Sequence, residues 1–300
     1  MTFDLRGLSA FPLTPTTETG IDERAVARLV ERAVEAGVDS IGALGSTGGY
    51  AYLDREERGR VTRLIVGAAG EVPVMVGVGA VRTRSVLQLA DDAQRNGAAA
   101  LLVAPVSYQP LTDDEVLGLY TDVAAVASVP ICVYDNPGTT GFHFSDELHA
   151  AVAALPGVAA VKIPPVAVPD AAARIASLRR VLPVGHVVGV SGDWFAAPAL
   201  NAGADGWFSV IGGLFPEAAV AITAAARSGD ADAASTLSAA LEPLWSLFRA
   251  HGSLRVVATA SEILGFTGSP SLPKPLRSLD GDDRLAVAMA LQAAGLHNAG

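Results

Sequence analysis

The chain has 300 residues, of which 50% are hydrophobic and 17% are charged, so it can bury a large core and is not a disordered protein. Its formal net charge of −10 argues against nucleic acid or an anionic membrane as the main partner. A single cysteine, Cys132, excludes an internal disulfide and any zinc or iron–sulfur site built from several thiolates.

The N-terminal segment "MTFDLRGLSAFPLTP" carries an acidic residue and two prolines where a signal peptide needs an apolar core. No uninterrupted apolar run reaches the length of a membrane-spanning helix. The five histidines are scattered, without the spacing typical of metal ligands. We therefore expect a cytoplasmic protein that uses neither a metal ion nor a separate cofactor.

Short β-branched runs alternate regularly with longer segments of helical period. These runs predict eight strands, over residues 8–11, 40–44, 72–78, 99–104, 129–134, 158–163, 187–190 and 206–210. Helical stretches such as "DERAVARLVERAVEAG" lie between them, and Asp54 and Thr112 stand where helix N-caps are expected.

Eight strand–helix periods within about 230 residues favour a closed sheet over an open one. We predict an α/β fold, a (β/α)8 TIM barrel over residues 1–228, followed by an appended C-terminal helical segment, residues 229–300, packed on the barrel. The alternative is a doubly wound, Rossmann-like sheet. It is disfavoured because "GVGAVR" supplies two glycines and no G-x-G-x-x-G motif follows.

Two residues at predicted strand ends are candidates for catalysis, because barrel enzymes carry their chemistry there. Lys162, in "GVAAVKIPPV", either extends its amine to solvent or holds it in the barrel mouth. In the second case, desolvation disfavours the charged amine and makes it a Schiff-base nucleophile. Tyr134 ends the preceding strand and either packs in the core or relays a proton as general acid or base.

The loop "GALGSTGGYAY" after the second predicted strand has two interpretations. It is either a tight turn whose glycines supply positive φ, or an anion site formed by backbone N–H groups with the hydroxyls of Ser46 and Thr47. It is not a phosphate-binding P-loop, because no Lys-Ser/Thr pair follows the last glycine. Farther along, Asp193 is expected to cap a helix, and Trp207 and Phe208 are expected to fill the barrel.

Eight motifs in order cover nearly the whole chain, and together they resemble the dihydrodipicolinate synthase / N-acetylneuraminate lyase family of Schiff-base-forming barrels. They are "AFPLTP", "GVDSIGALGSTGG", "GVGAVRT", "GAAALLVAP", "VYDNPGTTG", "VKI", "SGDW" and "GADGWFSV". Any one of these motifs is weak evidence; eight in register make the resemblance specific.

The resemblance implies roles for the matching residues. Lys162 would form an imine with pyruvate or a longer 2-oxo acid, and Ser46 and Thr47 would hold the substrate carboxylate. Thr47 would also link by hydrogen bonds to Tyr134, the proton-transfer residue. The backbone around Phe208 would place a carbonyl beside the imine. A covalent lysine imine would replace any cofactor.

The chain departs from the dihydrodipicolinate synthase pattern at several of these positions. Thr139 stands where an arginine pairs with the carboxylate of the second substrate, and threonine cannot replace a bidentate clamp. Gly49 replaces a glutamate, and Ile163 replaces an acidic residue. Ser107 stands at the position of a tyrosine shared between subunits, with Tyr108 one residue later as a possible catalytic substitute.

These departures predict a lyase or aldolase that acts on a 2-oxo acid and an aldehyde other than the standard one. The sugar-acid side of the family matches at Asp193, a predicted substrate-binding residue, whereas Trp194, Trp207 and Phe208 predict a more apolar pocket and a less polar aldehyde. The alternatives are 4-hydroxy-tetrahydrodipicolinate synthase and a 2-keto-3-deoxy sugar acid aldolase or dehydratase. A non-catalytic 2-oxo-acid sensor or scaffold is the third. The resemblance also implies a homo-oligomer, a tetramer or a dimer.

Overall fold

The computed structural model describes residues 4–18 and 20–296. Eight parallel strands close into a barrel in the order β1-β8-β7-β6-β5-β4-β3-β2, which confirms the predicted fold. The strands are β1 (Gly7–Ala10), β2 (Ser40–Ala43), β3 (Val74–Gly77), β4 (Ala100–Val103), β5 (Ile131–Tyr134), β6 (Val158–Ile163), β7 (Val187–Val190) and β8 (Gly206–Ser209). No strand boundary differs from its prediction by more than two residues.

In the described part of the chain, a short helix of Pro137–Thr140 follows β5, and eight longer helices surround the barrel, one between each strand and the next element of the fold. They are α1 (Glu23–Glu35), α2 (Arg55–Ala69), α3 (Thr83–Arg95), α4 (Asp113–Val126), α5 (Asp146–Ala153), α6 (Ala171–Val181), α7 (Asp193–Asn201) and α8 (Pro216–Arg227). The predicted N-caps of α2 and α4 are confirmed. Asp54 and Thr112 each form a capping box, in which a glutamate three residues later accepts from the backbone of the cap.

Four further helices follow the barrel: α9 (Ala231–Ala239), α10 (Glu242–His251), α11 (Ser253–Ile263) and α12 (Gly281–Ala293). Trp245 and Phe248 of α10 belong to the same buried apolar cluster as the outer face of the barrel. The Glu262 carboxylate of α11 accepts hydrogen bonds from Ser271 and Ser278 and pairs with Arg284 at 3.0 Å. This carboxylate therefore ties the segment between α11 and α12 to α11.

Across residues 4–18 and 20–296, no helix combines the length and the apolar character needed to cross a membrane.

The core has two layers, because successive strand residues point to opposite faces of a sheet. Cys132 and Tyr134 of β5 lie inside the barrel with Phe208, whereas Val133 packs outward against the helices. In β8 the same alternation sends Trp207 outward. The expectation that Trp207 fills the barrel is therefore wrong, since Phe208 occupies the inward position.

Candidate active site

Lys162 and Tyr134 lie side by side on neighbouring strands at the mouth of the barrel. Their Cα atoms are register partners in the β5–β6 pair, so the backbone ladder fixes their separation. The Lys162 side chain is 5% exposed. Its Nζ lies 4.3 Å from the centroid of the Tyr134 ring and 5.9 Å from that of Phe11. The amine is therefore enclosed between two aromatic rings and does not extend to solvent.

Phe11 packs beneath this amine, and glycines make room for its ring. A Cβ atom at Gly42 would lie 2.3 Å from the Phe11 ring, and one at Gly45 would lie 2.6 Å from it. Phe208 meets Phe11 edge to face, with 6.0 Å between the ring centroids. Two glycines of the "GALG" stretch are thus required by close packing in the site.

The loop after β2 turns sharply into the barrel mouth. Leu44 has a φ of 54°, a left-handed conformation that is strained for a residue with a branched side chain. Its carbonyl oxygen would lie 2.0 Å from a Cβ at Gly77, so this turn requires glycine on the neighbouring strand. Gly49 supplies the second positive φ, 64°, and its N–H donates to the Ser46 carbonyl at 3.1 Å. The interpretation of this loop as a turn with a glycine at positive φ is therefore supported at Gly49. The other residue with positive φ is Leu44, for which this conformation is strained.

The Tyr134 hydroxyl stands at the centre of a small group of polar side chains. The Ser46 Oγ lies 2.7 Å from it, the Asn136 Nδ2 donates to it at 3.1 Å, and the Thr139 Oγ1 is 3.5 Å away. The predicted link from Thr47 to Tyr134 is wrong. Ser46 is nearer to the end of β2 and makes this contact, while Thr47 is buried one residue farther along the turn.

Sequence reasoning missed Asn136. The available signal was its spacing, because residues 134 and 136 follow the two-residue period that places side chains on one face of an extended chain. The predicted strand stops at residue 134, and Thr139 was the residue singled out in the loop that follows it. Residues Pro137–Thr140 do form a short helix, and Asn136 precedes it.

The electrostatics around Tyr134 favour loss of its proton. Burial raises the pKa of Tyr134, but the positive charge of Lys162 and the hydrogen bond with Ser46 lower it, with smaller contributions from Thr139 and Asn136. The net result is a pKa below the ordinary value for tyrosine. The group can therefore give up its proton more readily than a free phenol.

Asp193 was expected to cap a helix and to contact substrate. The helix begins at Asp193 itself, with Gly192 as the N-cap, so the capping expectation is wrong. Asp193 is 2% exposed, and its carboxylate accepts from Trp207 Nε1 at 2.9 Å and from the N–H groups of Val210 and Ile211. Burial raises its pKa to about 6 against the opposing effect of these donors. These contacts join α7 to the end of β8, and a contact with substrate stays a prediction.

Three other residues that the sequence placed at the site lie on the surface or in the outer core. Tyr108 is 90% exposed on the loop after β4. Trp194 packs against the outer core cluster, and Trp207 belongs to it. Trp194 and Trp207 therefore do not form the predicted apolar pocket. Of the three aromatic residues on which that prediction depended, Phe208 alone lies inside the barrel.

A buried pair lies directly behind the reacting strands. Asp135 donates its backbone N–H to the Lys162 carbonyl at 2.9 Å, and its side chain points outward to His149, with 3.4 Å between Oδ2 and Nε2. Asp135 is 4% exposed and His149 is fully buried. His149 stacks on Phe144 with 4.9 Å between the ring centroids. Neither side chain was singled out from the sequence.

A cleft of about 1290 Å³ opens elsewhere, between the short hairpin of Thr16–Thr17 and Gly20–Ile21 and the C-terminal segment. Its lining includes Lys274 and none of the site residues described above. Lys162 and Tyr134 converge at the barrel mouth and not in this cleft, so the barrel mouth is the candidate active site.

Comparison with known proteins gives consistent results. The model of the dihydrodipicolinate synthetase family matches residues 4–294. A 4-hydroxy-tetrahydrodipicolinate synthase from Halorhodospira halophila is 34% identical over 284 residues, covering 92% of this chain and 91% of the relative. An uncharacterized DapA-like lyase from Halobacterium salinarum is 31% identical over 282 residues, covering 93% and 90%.

Solved structures agree in fold and in extent. A dihydrodipicolinate synthase from Agrobacterium tumefaciens is 44% identical with a TM-score of 0.93, over 96% of this chain and 98% of that one. The chloride-inhibited dihydrodipicolinate synthase from Acinetobacter baumannii, complexed with pyruvate, is 28% identical with a TM-score of 0.90, over 98% and 100%. Since family, relatives and structures all match over nearly the whole chain, this protein belongs to the dihydrodipicolinate synthetase family and is a lyase.

Proposed function

We propose that the protein is a Schiff-base-forming lyase that acts on pyruvate or a related 2-oxo acid together with an aldehyde. The observation that carries the proposal is the enclosed amine of Lys162, 4.3 Å from the ring centroid of a tyrosine whose pKa is lowered. A non-catalytic sensor or scaffold needs neither the nucleophile nor the proton carrier beside it.

The proposed reaction begins when the unprotonated amine of Lys162 attacks the keto carbon of the 2-oxo acid. The keto oxygen takes a proton from the attacking nitrogen and becomes a hydroxyl. Tyr134 gives its own proton to that hydroxyl, which leaves as water while the nitrogen electron pair forms the C=N bond. The protonated imine then withdraws electrons from the neighbouring carbon. The Tyr134 phenolate can take a proton from that carbon to form an enamine, which attacks an aldehyde. In the reverse direction, the phenolate takes the proton of a hydroxyl on the next carbon while the C–C bond breaks and an aldehyde leaves. The lysine itself is the electron sink, so this proposal requires no metal ion or separate cofactor.

Ser46 and Thr47 are proposed to hold the carboxylate of the 2-oxo acid. The turn after β2 carries them into the barrel mouth, and the Ser46 hydroxyl lies 2.7 Å from the Tyr134 hydroxyl. A carboxylate bound there would be fixed next to the proton carrier. The backbone of Phe208 is proposed to complete the pocket on the opposite side of the amine.

The second substrate is proposed to be an aldehyde without a carboxylate at the arginine position. The loop of residues 135–141 contains no arginine, and the Thr139 hydroxyl donates to the Asn136 carbonyl at 3.2 Å. A threonine cannot form the bidentate, charge-assisted pair that such a carboxylate would need. The aromatic rings of Phe11 and Phe208 favour a less polar aldehyde. Trp194 and Trp207 face outward and therefore give no support to a less polar aldehyde.

The relatives support one alternative, since several of them are named 4-hydroxy-tetrahydrodipicolinate synthase. A panel of aldehydes and 2-oxo acids, with identification of the products, decides between the candidates. Aspartate semialdehyde as the preferred substrate would support that alternative. A sugar acid split or dehydrated as the preferred substrate would contradict the less polar aldehyde.

Borohydride reduction in the presence of pyruvate tests the central step. The chain has two lysines, Lys162 and Lys274, so the labelled peptide identifies the nucleophile without ambiguity. We expect one reduced pyruvate on Lys162 in the wild type and in Lys274→Ala, and none in Lys162→Ala. Circular dichroism confirms that each variant is folded. A folded wild type without an adduct, or with the adduct on Lys274, would overturn the proposal.

A further inference from the structure

The side-chain amide of Asn136 has a defined orientation beside the Tyr134 hydroxyl. Its Nδ2 donates to the tyrosine oxygen at 3.1 Å. Its Oδ1 lies on the other side, 3.3 Å from the position that a Cβ atom would take at Gly138. Glycine at 138 thus leaves room for the carbonyl end of the amide, and the amino end faces the phenol.

This orientation decides where the phenol proton points. An amide N–H can only donate, so the Tyr134 oxygen accepts from Asn136 and must direct its own hydrogen elsewhere. The Ser46 Oγ at 2.7 Å is the near acceptor. The Thr139 Oγ1, whose own hydrogen goes to the Asn136 carbonyl at 3.2 Å, is also an acceptor but lies farther from the phenol, at 3.5 Å. The hydrogen bonds therefore run from Asn136 to Tyr134 to Ser46.

The direction of these bonds leaves one hydrogen available for substrate. Ser46 accepts from Tyr134 and keeps its own O–H free to donate to an acceptor in the barrel mouth. If Asn136 accepted instead of donating, Tyr134 would give its hydrogen to residue 136. Ser46 could then donate to Tyr134, and its O–H would no longer point to the substrate.

We propose that Asn136 is a positioning residue that sets the direction of the Asn136–Tyr134–Ser46 hydrogen bonds. It thereby presents the Ser46 hydroxyl hydrogen to the substrate carboxylate. It also donates to the Tyr134 oxygen when that oxygen has given up its proton. The inference rests on the proposed function, in which Tyr134 carries a proton and Ser46 holds a carboxylate.

The charge environment of Tyr134 agrees with this role. The titratable groups that face the phenol are Lys162 on β6 and Tyr50 in the loop after β2, and the pKa of Tyr50 is raised by burial and by Tyr134. In the proposed reaction the charge of Lys162 changes, because its nitrogen attacks as an unprotonated amine and becomes a protonated imine. The amide of Asn136 is uncharged and keeps its donor throughout the reaction.

Asn136→Asp tests the direction of the hydrogen bonds, because it keeps the shape of the side chain and replaces the amide donor that faces Tyr134 with a carboxylate acceptor. We expect kcat to fall about 100-fold and the KM for the 2-oxo acid to rise, since both the proton carrier and the carboxylate grip are disturbed. Asn136→Leu removes the donor without adding an acceptor. We expect it to lower kcat about tenfold while the KM changes less than about twofold.

The ionisation of Tyr134 gives a readout that a merely structural role would not move. Absorbance of tyrosinate is followed against pH, with Tyr134→Phe as the reference that isolates this group from the four other tyrosines. The pH at which Tyr134 ionises should rise in Asn136→Leu, which lacks the donor. It should rise further in Asn136→Asp, because a carboxylate opposes the phenolate.

Asn201→Asp is the matched control, since it makes the same chemical change at an exposed position at the end of α7. It should retain wild-type kcat, KM and tyrosine titration. If Asn136→Asp does not fold, Asn136→Leu carries the test through its lowered kcat and its raised pH of Tyr134 ionisation.

Wild-type kinetics and titration in folded Asn136 variants would overturn the inference, and so would an unchanged KM in Asn136→Asp. Such an outcome would leave the pyruvate adduct on Lys162 in place. Failure of the proposed function would instead appear as a wild type without that adduct.

Discussion

Lys162 and Tyr134 occupy register positions on neighbouring strands, so the contact between amine and phenol depends on the backbone ladder of the barrel. The side chains that surround them come from loops: Ser46 from the turn after β2, and Asn136 from the turn after β5. The strands thus fix the positions of Lys162 and Tyr134, whereas the loop residues beside them can be replaced without a change in the barrel.

Tyr134→Phe should lower kcat about 100-fold, because a proton carrier is lost. The KM for pyruvate should change little, since Ser46 and Thr47 remain to hold the carboxylate. Steady-state kinetics measure both constants, and Tyr52→Phe, at a partly exposed position, controls for the loss of a phenol elsewhere. Equal losses in binding and turnover would mean that Tyr134 has a structural role.

Cys132 should be unreactive in the native protein. It is fully buried inside the barrel, and burial raises the pKa of its thiol to about 12, against a smaller opposing effect of Lys162. The reactive thiolate is therefore scarce at neutral pH. A disulfide reagent should label no thiol under native conditions and one thiol per chain in denaturant. Rapid labelling of the native protein would contradict this enclosure of the barrel interior.

The sequence predicted those residues of the site whose signal is a position at a strand end, namely Lys162 and Tyr134. It did not predict which hydroxyl meets Tyr134, because the left-handed conformation of Leu44 redirects the loop. Side-chain orientation in a turn depends on such backbone details. Asn136 was missed for another reason, because the prediction stopped at the end of the strand. The contact between Asp135 and His149 is formed by the fold, and no sequence pattern marks it.

At the scale of elements, strand and helix positions followed from composition and capping residues, but the inward face of a strand did not. β8 is buried on both sides, so its hydrophobic pattern does not distinguish the faces, and Trp207 was assigned to the wrong one. The outward position of Trp207 in turn explains Asp193, whose carboxylate accepts from the indole at 2.9 Å.

Asp193→Ala separates a structural role of this carboxylate from a role in substrate binding. Removal leaves three N–H donors of Trp207, Val210 and Ile211 without their acceptor. We expect the free energy of unfolding to fall by about 2–4 kcal/mol. The KM for pyruvate should change little in the folded variant. A large increase in KM without loss of stability would support the substrate contact implied by the resemblance.

The contribution of Asp193 to the free energy of unfolding should decrease as pH rises. The pKa of Asp193 is raised from 3.8 to about 6 in the folded state, so the folded protein holds this proton more tightly than the unfolded chain. The resulting stability is fully present below the unfolded value and is lost as pH rises through the folded value. In urea titrations, wild type should therefore exceed Asp193→Ala by more at about pH 5 than at about pH 7.5.

At the scale of the whole molecule, eight strand–helix periods sufficed to predict the barrel. The arrangement of the C-terminal segment was beyond sequence reasoning, because the Glu262 carboxylate accepts hydrogen bonds from residues 7 to 22 positions away. No periodic signal marks such contacts. The assembly that the resemblance implies belongs to the same scale, and it bears on Tyr108, which is 90% exposed in the single chain.

Mixing of inactive variants tests whether a neighbouring subunit supplies Tyr108 to the site. Lys162→Ala and Tyr108→Ala should each be nearly inactive, whereas mixed dimers contain one site with both residues intact. Random mixing should restore about a quarter of the wild-type activity. A mixture of Lys162→Ala with Tyr134→Phe is the control and should stay inactive, because both residues belong to one subunit. No recovery in the first mixture would show that Tyr108 is not shared.

The bond from the Asp135 N–H to the Lys162 carbonyl marks a boundary between the framework of the barrel and its rim. Below it, hydrogen-bonded strands hold the Lys162 amine and the Tyr134 phenol together. Above it, short loops hold the groups that are proposed to recognise the substrate. Substitutions in the rim, such as threonine for arginine at 139, leave the spacing of the strands untouched. A barrel divided in this way can acquire a new substrate while it retains its chemistry, which is how relatives of one family come to differ in substrate without differing in fold.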